Sequence, residues 1–232
     1  MPQSSPDDGR TLFVGLGRMG EPMARRYATA HAADGHPPAP LLLHDLDPDR
    51  ATRIAAEVGA EALATLDELP GDVRTVILML PDSRVVERVL GDGTGGLLGR
   101  LAPAALLVDM GSSEPESTRR LSALAQESGV EYVDAPVSGG VAKAESGELA
   151  VMVGGTAGAV ARAEPHLRPF AATLVHVGPS GAGHAAKALN NLLSATQLAA
   201  AAEVLCAAQR AGIDPADMVE VLNASTGRSQ AT

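Results

Sequence analysis

The 232-residue sequence predicts an α/β fold, a doubly wound and mostly parallel sheet followed by an all-helical segment, and three observations carry that prediction. Short aliphatic runs alternate with helix-like stretches from Thr11 to Gly178. The composition is 45 % hydrophobic but only 2 % aromatic, with no Trp. The core therefore has to be built from Ala, Val and Leu, which suits helices packed on buried parallel strands. A glycine-rich turn separates the first aliphatic run from the first helical stretch.

Taken in order, the runs that read as strands are TLFVGLG from Thr11, PLLLHD at 40–45, TVILMLP at 75–81, ALLVDM at 105–110, EYVDAPV at 131–137, LAVMVGG at 149–155 and TLVHVG at 173–178. Helices are predicted between most of them, over 48–57, 82–90, 114–128 and 156–168. Strands alternating with helices imply βαβ units, a parallel sheet and right-handed crossovers. Ser113 and Glu116 have the capping-box spacing, in which a Ser hydroxyl and a Glu three residues on satisfy free N–H groups; a helix start capped by Ser113 is expected there. Asp214-Pro215 marks another start, because the missing N–H of Pro is harmless in a first turn.

Past Gly178 the character changes. The stretch from Gly181 to Gly212 reads as one long helix with no charged residue between Ala188 and Ala202, followed by a turn and a second helix to about Asn223. A helix this apolar all round has to be covered by other helices or a second subunit, so a homodimer or higher homo-oligomer is expected. The predicted organisation is a loose tail over 1–10, an α/β domain over 11–180 and a helical segment over 181–232.

Charge and composition exclude several classes. With 28 acidic against 18 basic residues and a net charge of −10, no basic face is available to neutralise phosphates, so no nucleic-acid partner is expected. The single cysteine, Cys206, rules out an internal disulfide, fits a reducing compartment and is expected to be a small buried core residue. The N-terminal MPQSSPDDGR lacks an apolar signal core. No uncharged apolar run reaches the roughly 18 residues of a membrane span, the longest candidate carrying Asn190, Asn191 and Gln197; a cytoplasmic protein without a membrane partner is expected. The six histidines show no metal-ligand spacing, and no metal is expected.

Two features carry chemistry. The first run leads into Gly15-Leu16-Gly17-Arg18-Met19-Gly20, followed by helix-forming residues. This is G-x-G-x-x-G in the setting it requires: the first Gly allows the tight turn, the second lets a pyrophosphate approach the backbone, and the third lets the helix pack on the strand. The anion then meets free N–H groups at a helix N-terminus. Asp45, in LLLHDLD, would bind the ribose hydroxyls of NAD and repel the extra phosphate of NADP, so NAD is expected ahead of NADP; Asp45 lies later than the usual spacing, and HAADGHPPAP at 31–40 reads as the loop insertion responsible. Leu80 and Pro81, at the end of TVILMLP, complete the predicted cofactor set. The second feature is Lys187, a lone cation at the mouth of the apolar helix, where a desolvated amine could serve as a proton acceptor or, alternatively, snorkel to solvent.

Three strings occur in order: Gly15 to Gly20, then Asp134-Ala135-Pro136-Val137-Ser138-Gly139-Gly140, then Gly183-His184-Ala185-Ala186-Lys187-Ala188-Leu189-Asn190-Asn191. On these the chain resembles the β-hydroxyacid dehydrogenase family, the 3-hydroxyisobutyrate dehydrogenase and tartronate semialdehyde reductase group, over about residues 11 to 230. The resemblance implies a Rossmann domain and NAD-dependent oxidation of a short β-hydroxy acid to its semialdehyde, with Lys187 as the catalytic residue. It implies that Ser138, Gly139 and Gly140 hold the substrate carboxylate, that Asn191 orients the substrate from the helical face of Lys187, and that Ser112 sits near the nicotinamide and substrate. Ser112 also reads as a helix cap, and His184 reads as a packing residue ahead of a proton relay. Relatives continue through further helices with another active-site lysine, so an incomplete member is expected. An imine reductase, which usually replaces the lysine, and a non-catalytic NAD-binding module are the alternatives.

Overall fold

The computed structural model describes residues 9–33, 41–92 and 95–232. Most of the tail expected over 1–10, and the loop expected over 31–40 beyond Ala33, lie outside the described residues. The strands are β1 (Arg10–Val14), β2 (Leu41–His44), β3 (Glu61–Ala62), β4 (Val73–Leu78), β5 (Leu106–Asp109), β6 (Glu131–Asp134), β7 (Val137–Ser138), β8 (Leu149–Gly154) and β9 (Ala171–Gly178). They form one sheet in the order β3-β2-β1-β4-β5-β6-β8-β7, with β9 paired to β8. The pairs from β3 through β6 are parallel.

The helices are α1 (Gly20–Ala33), α2 (Pro48–Val58), α3 (Ser83–Leu90), α4 (Pro115–Glu127), α5 (Gly140–Ser146), α6 (Ala157–Leu167), α7 (Ala182–Arg210) and α8 (Pro215–Ala224). Successive strand residues point to opposite faces, so Phe13, Leu43, Ile77 and Val108 pack under Met23 and Tyr27 of α1, Ile54 of α2 and Leu167 of α6. Leu12, Leu42, Val76 and Leu107 meet Val86 and Leu90 of α3 and Leu121 of α4 on the other face. Burial on both faces is why the strands read as unbroken aliphatic runs rather than alternating ones.

The structure departs from the sequence expectations at particular places. The run at 131–137 breaks into β6 and β7 at Ala135-Pro136, since Pro136 has no N–H to give a ladder, and β8 runs antiparallel to both pieces. The expected capping box before α4 does not form. Its N-cap position is Glu114, without a side-chain cap bond. The Ser113 hydroxyl donates instead to Asp109 at 2.9 Å, and the Glu114 N–H donates to the Ser83 hydroxyl at 2.7 Å. Asp214 does cap α8, accepting from the Ala216 N–H at 2.8 Å.

The chain divides into two compact units, one reaching Lys187 and one running Ala188–Thr232. The first turn of α7 therefore belongs with the sheet. In the second unit Leu189, Leu192, Leu193 and Leu198 are exposed. Cys206, expected in a core, is exposed as well, because nothing among the described residues covers its side of α7. By length and composition alone α7 is long and apolar enough to cross a membrane, although its uncharged run, bounded by Lys187 and Glu203, stops short of a span.

Candidate functional site

The glycine turn sits where the strand order reverses, between β1 and β4, which is where open α/β sheets bind ligands. Gly15 has φ +94°, and a Cβ there would lie 2.4 Å from the Met79 carbonyl oxygen at the end of β4. A Cβ on Gly20 would lie 1.8 Å from the Gly15 carbonyl oxygen, so α1 starts hard against the turn. Gly17 is the contrast: a Cβ there would meet nothing within 4 Å, so its backbone faces open space. That open face beside a helix N-terminus is where a pyrophosphate fits.

A groove of about 460 Å³ opens on this turn. Gly15, Gly17, Arg18, Met19, Gly20, Asp45, Leu80 and Pro81 all line it. Leu16 does not; its side chain is buried in the core, and its N–H donates to the Asp45 carboxylate at 2.6 Å. Asp45 also accepts from the Asp47 N–H at 2.9 Å and from the Arg50 guanidinium at 3.1 Å. Arg50, absent from the sequence reading, lines the groove too. A larger cleft of about 750 Å³ opens on the other side of the turn, between Arg25 and Arg26 of α1 and Val141 and Glu145 of α5. The smaller groove is the better cofactor candidate, because it alone contains Asp45, Leu80 and Pro81.

Further along the same edge, β5 and β6 end in Asp109 and Asp134, which are in register and fully buried. Asp109 accepts from the Gly111 N–H at 3.0 Å, the Ser113 hydroxyl at 2.9 Å and the Tyr132 hydroxyl at 3.1 Å. Burial, together with the adjacent Asp109 charge, raises the Tyr132 phenol well above its ordinary value, so it stays a donor. Ser112, between Gly111 and Ser113, is exposed. A Cβ on Gly111 would lie 2.6 Å from the Leu80 carbonyl oxygen, so this loop packs beside the groove wall. Ser138 ends β7, and Gly139 and Gly140 follow with φ of +142° and +75°, values that glycine tolerates and other residues resist.

Asp134 accepts the Gly181 N–H at 2.8 Å and the His184 N–H at 2.9 Å, which docks the start of α7 on the end of β6. One turn later stands Lys187, half-buried and with no acidic partner among the described residues. Burial lowers its pKa from the ordinary lysine value. Asn191 lies four residues on in the same helix, within the second unit, and is exposed. Among the described residues no group of acidic, His or Cys side chains is arranged to hold a metal ion. Asp109, Tyr132 and Thr118, and the anchoring role of Asp134, escaped the sequence reading; the signal available was an Asp closing each of two aliphatic runs.

Residues 10–178 match the family model described as the NAD binding domain of 6-phosphogluconate dehydrogenase. Residues 181–232 match the NAD-binding domain of NADP-dependent 3-hydroxyisobutyrate dehydrogenase. The 2-(hydroxymethyl)glutarate dehydrogenase of Eubacterium barkeri is 35 % identical over 94 % of this chain and 70 % of its own. The 3-hydroxyisobutyrate dehydrogenase of Pseudomonas aeruginosa is 39 % identical over 93 % of this chain and 69 % of its own. Among solved structures, the Mycobacterium tuberculosis 3-hydroxyisobutyrate dehydrogenase with L-serine superposes with a TM-score of 0.85 at 35 % identity, covering 97 % of this chain and 73 % of that one. Imine reductases share the fold alone, at 19 % identity.

Proposed function

The chain belongs to the β-hydroxyacid dehydrogenase family and is a nicotinamide-dependent oxidoreductase acting on a hydroxyl group, and on that premise we propose that it oxidises a short β-hydroxy acid to the semialdehyde with NAD, using Lys187 as proton acceptor. The observation that carries the reading is Lys187 itself: a half-buried amine without an acidic partner among the described residues, its pKa lowered by burial, on a helix docked beside the glycine turn's edge of the sheet. A neutral amine accepts a proton; a salt-bridged one does not.

The cofactor, when bound, supplies the hydride acceptor for the carbinol carbon. In the proposed arrangement the Gly17 and Met19 side of the turn takes the pyrophosphate, Asp45 takes the ribose hydroxyls, and Leu80 and Pro81 wall the groove. Ser138, Gly139 and Gly140 bind the substrate carboxylate through a hydroxyl and exposed N–H groups, with Ser112 orienting the substrate. Lys187 Nζ removes the hydroxyl proton as the carbonyl forms, and in reduction the ammonium returns it. Two relatives name the substrate class: one acts on 3-hydroxyisobutyrate and one on 2-(hydroxymethyl)glutarate, each a short acid. Asp45 supports NAD over NADP, because its carboxylate lies in the groove and already binds Arg50. The exposed leucines of α7 support a homo-oligomer, and the lone cysteine supports a cytoplasmic location.

The test is NADH formation by the purified chain with 3-hydroxyisobutyrate, 2-(hydroxymethyl)glutarate, D-glycerate, 4-hydroxybutyrate and L-serine, repeated with NADP. Turnover of one acid, faster with NAD, is expected. Turnover only with NADP would overturn the cofactor assignment, and NAD(P)H consumption with an added cyclic imine, with none of the acids turned over, would overturn the reaction.

A further inference from the structure

A buried carboxylate persists only when its oxygens are filled by donors. Asp109 and Asp134 divide that task between two parts of the site. The donors to Asp109 include both neighbours of Ser112, so this carboxylate fixes the Ser112 loop. The donors to Asp134 are the N–H groups of Gly181 and His184, so this one fixes the entry of α7. The entry is tight: a Cβ on Gly183 would lie 2.5 Å from the Met152 carbonyl oxygen and 2.8 Å from that of Asp134.

The His184 ring, 1 % exposed, lies between the two carboxylates, with Nδ1 3.8 Å from Asp134 and Nε2 3.9 Å from Asp109. Among the described residues the ring's one hydrogen bond runs from Nδ1 to the Thr118 hydroxyl on α4, at 2.8 Å. Thr118 donates its own hydrogen to the Glu114 carbonyl at 3.1 Å, which leaves its oxygen to accept and makes Nδ1 the donor. Nε2 is buried without a hydrogen-bond partner among the described residues. An apolar side chain of similar volume would avoid that orphaned atom, so stability alone does not call for a histidine here. Its hydrogen bond to α4 is what an apolar residue could not supply.

We propose that His184 is the positioning residue for Lys187. The reading rests on Lys187 as proton acceptor. His184 is three residues before Lys187, on the adjoining helical face. Asp134 holds the backbone of this turn to β6, and the ring holds its side to α4; together they fix the rotation of the turn from which Lys187 projects. Nζ stands at the end of a four-carbon stem, so a small rotation of the turn becomes a displacement of about 1 Å, and such a displacement costs about 100-fold in rate.

The test compares His184→Leu, His184→Asn, Thr118→Val and Lys187→Ala with the wild-type chain. In His184→Leu we expect kcat to fall by about 10- to 100-fold while KM and NADH affinity hold, and amide exchange over residues 181–187 to quicken while β1 and β4 keep their protection. His184→Asn retains an N–H where Nδ1 stands and should recover most of kcat; Thr118→Val should reproduce the Leu variant. Unchanged exchange at 181–187 in His184→Leu overturns the proposal, and that arm needs no turnover. Unchanged kcat overturns it as well, as does a loss matched by equal losses of NADH affinity and global protection. Retained turnover in Lys187→Ala instead overturns the role of the lysine, so the two failures are distinct.

Discussion

The carboxylate of Asp45 accepts the backbone N–H of Leu16 at 2.6 Å, which fastens the end of β2 to the glycine turn after β1. One residue thus shapes the glycine turn and, in the proposed arrangement, faces the cofactor's ribose. Asp45→Asn keeps an acceptor oxygen but removes the charge that repels a 2′-phosphate and holds Arg50. NADH affinity should fall about 10-fold, the scale of one charge-assisted hydrogen bond, and the preference for NAD over NADP should narrow. Parallel fluorescence titrations with NADH and NADPH measure both; an unchanged preference contradicts the assignment.

Two glycines of the turn separate binding from folding. Gly17→Ala adds a methyl to open space and should leave the thermal midpoint unchanged while weakening NADH binding at least about 10-fold, because in the proposed arrangement the phosphate approaches the backbone there. Gly20→Ala drives a methyl into the Gly15 carbonyl and should lower the midpoint by about 5–10 °C, from an overpacking cost of up to about 3 kcal/mol. Calorimetry with and without NADH distinguishes the two.

Burial lowers the Lys187 pKa, and the proposed reaction uses the neutral amine in oxidation. Oxidation should therefore speed up as pH rises through that pKa and level off below the pH at which an ordinary lysine titrates, while reduction, which needs the ammonium, slows over the same range. Lys187→Arg should stay inactive, since a guanidinium keeps its proton. A pH–rate profile in both directions checks the sign; oxidation that falls as pH rises contradicts it.

Ser138 ends β7 beside two positive-φ glycines. Ser138→Ala should raise KM for the hydroxy acid by about 10-fold, one hydrogen bond to a carboxylate, and leave NADH affinity alone. Initial rates over a range of acid concentrations, together with an NADH titration, measure both quantities.

What the sequence made legible is what short-range chemistry writes. The Gly15–Gly20 turn, the long helix of Lys187 and the Asp214 cap each depend on residues within a few positions of one another. The knot of Asp109, Asp134, Thr118 and His184 was not legible, because the bonds that tie it across elements, from Tyr132 to Asp109, from Gly181 and His184 to Asp134 and between His184 and Thr118, span 23 to 66 residues. Ser113 shows the limit: its local pattern is that of a cap, yet its hydroxyl is turned to donate to the buried Asp109 carboxylate, and the cap position falls to Glu114. The exposure of Leu189, Leu192 and Cys206 was illegible for another reason. Apolar composition states that a surface should be covered, and not by what.

The most direct test of the account is turnover of Lys187→Ala beside its NADH affinity. The account predicts an unchanged NADH dissociation constant with kcat lower by about 100-fold or more, the scale of a lost general base. Near-wild-type kcat in that variant would contradict it.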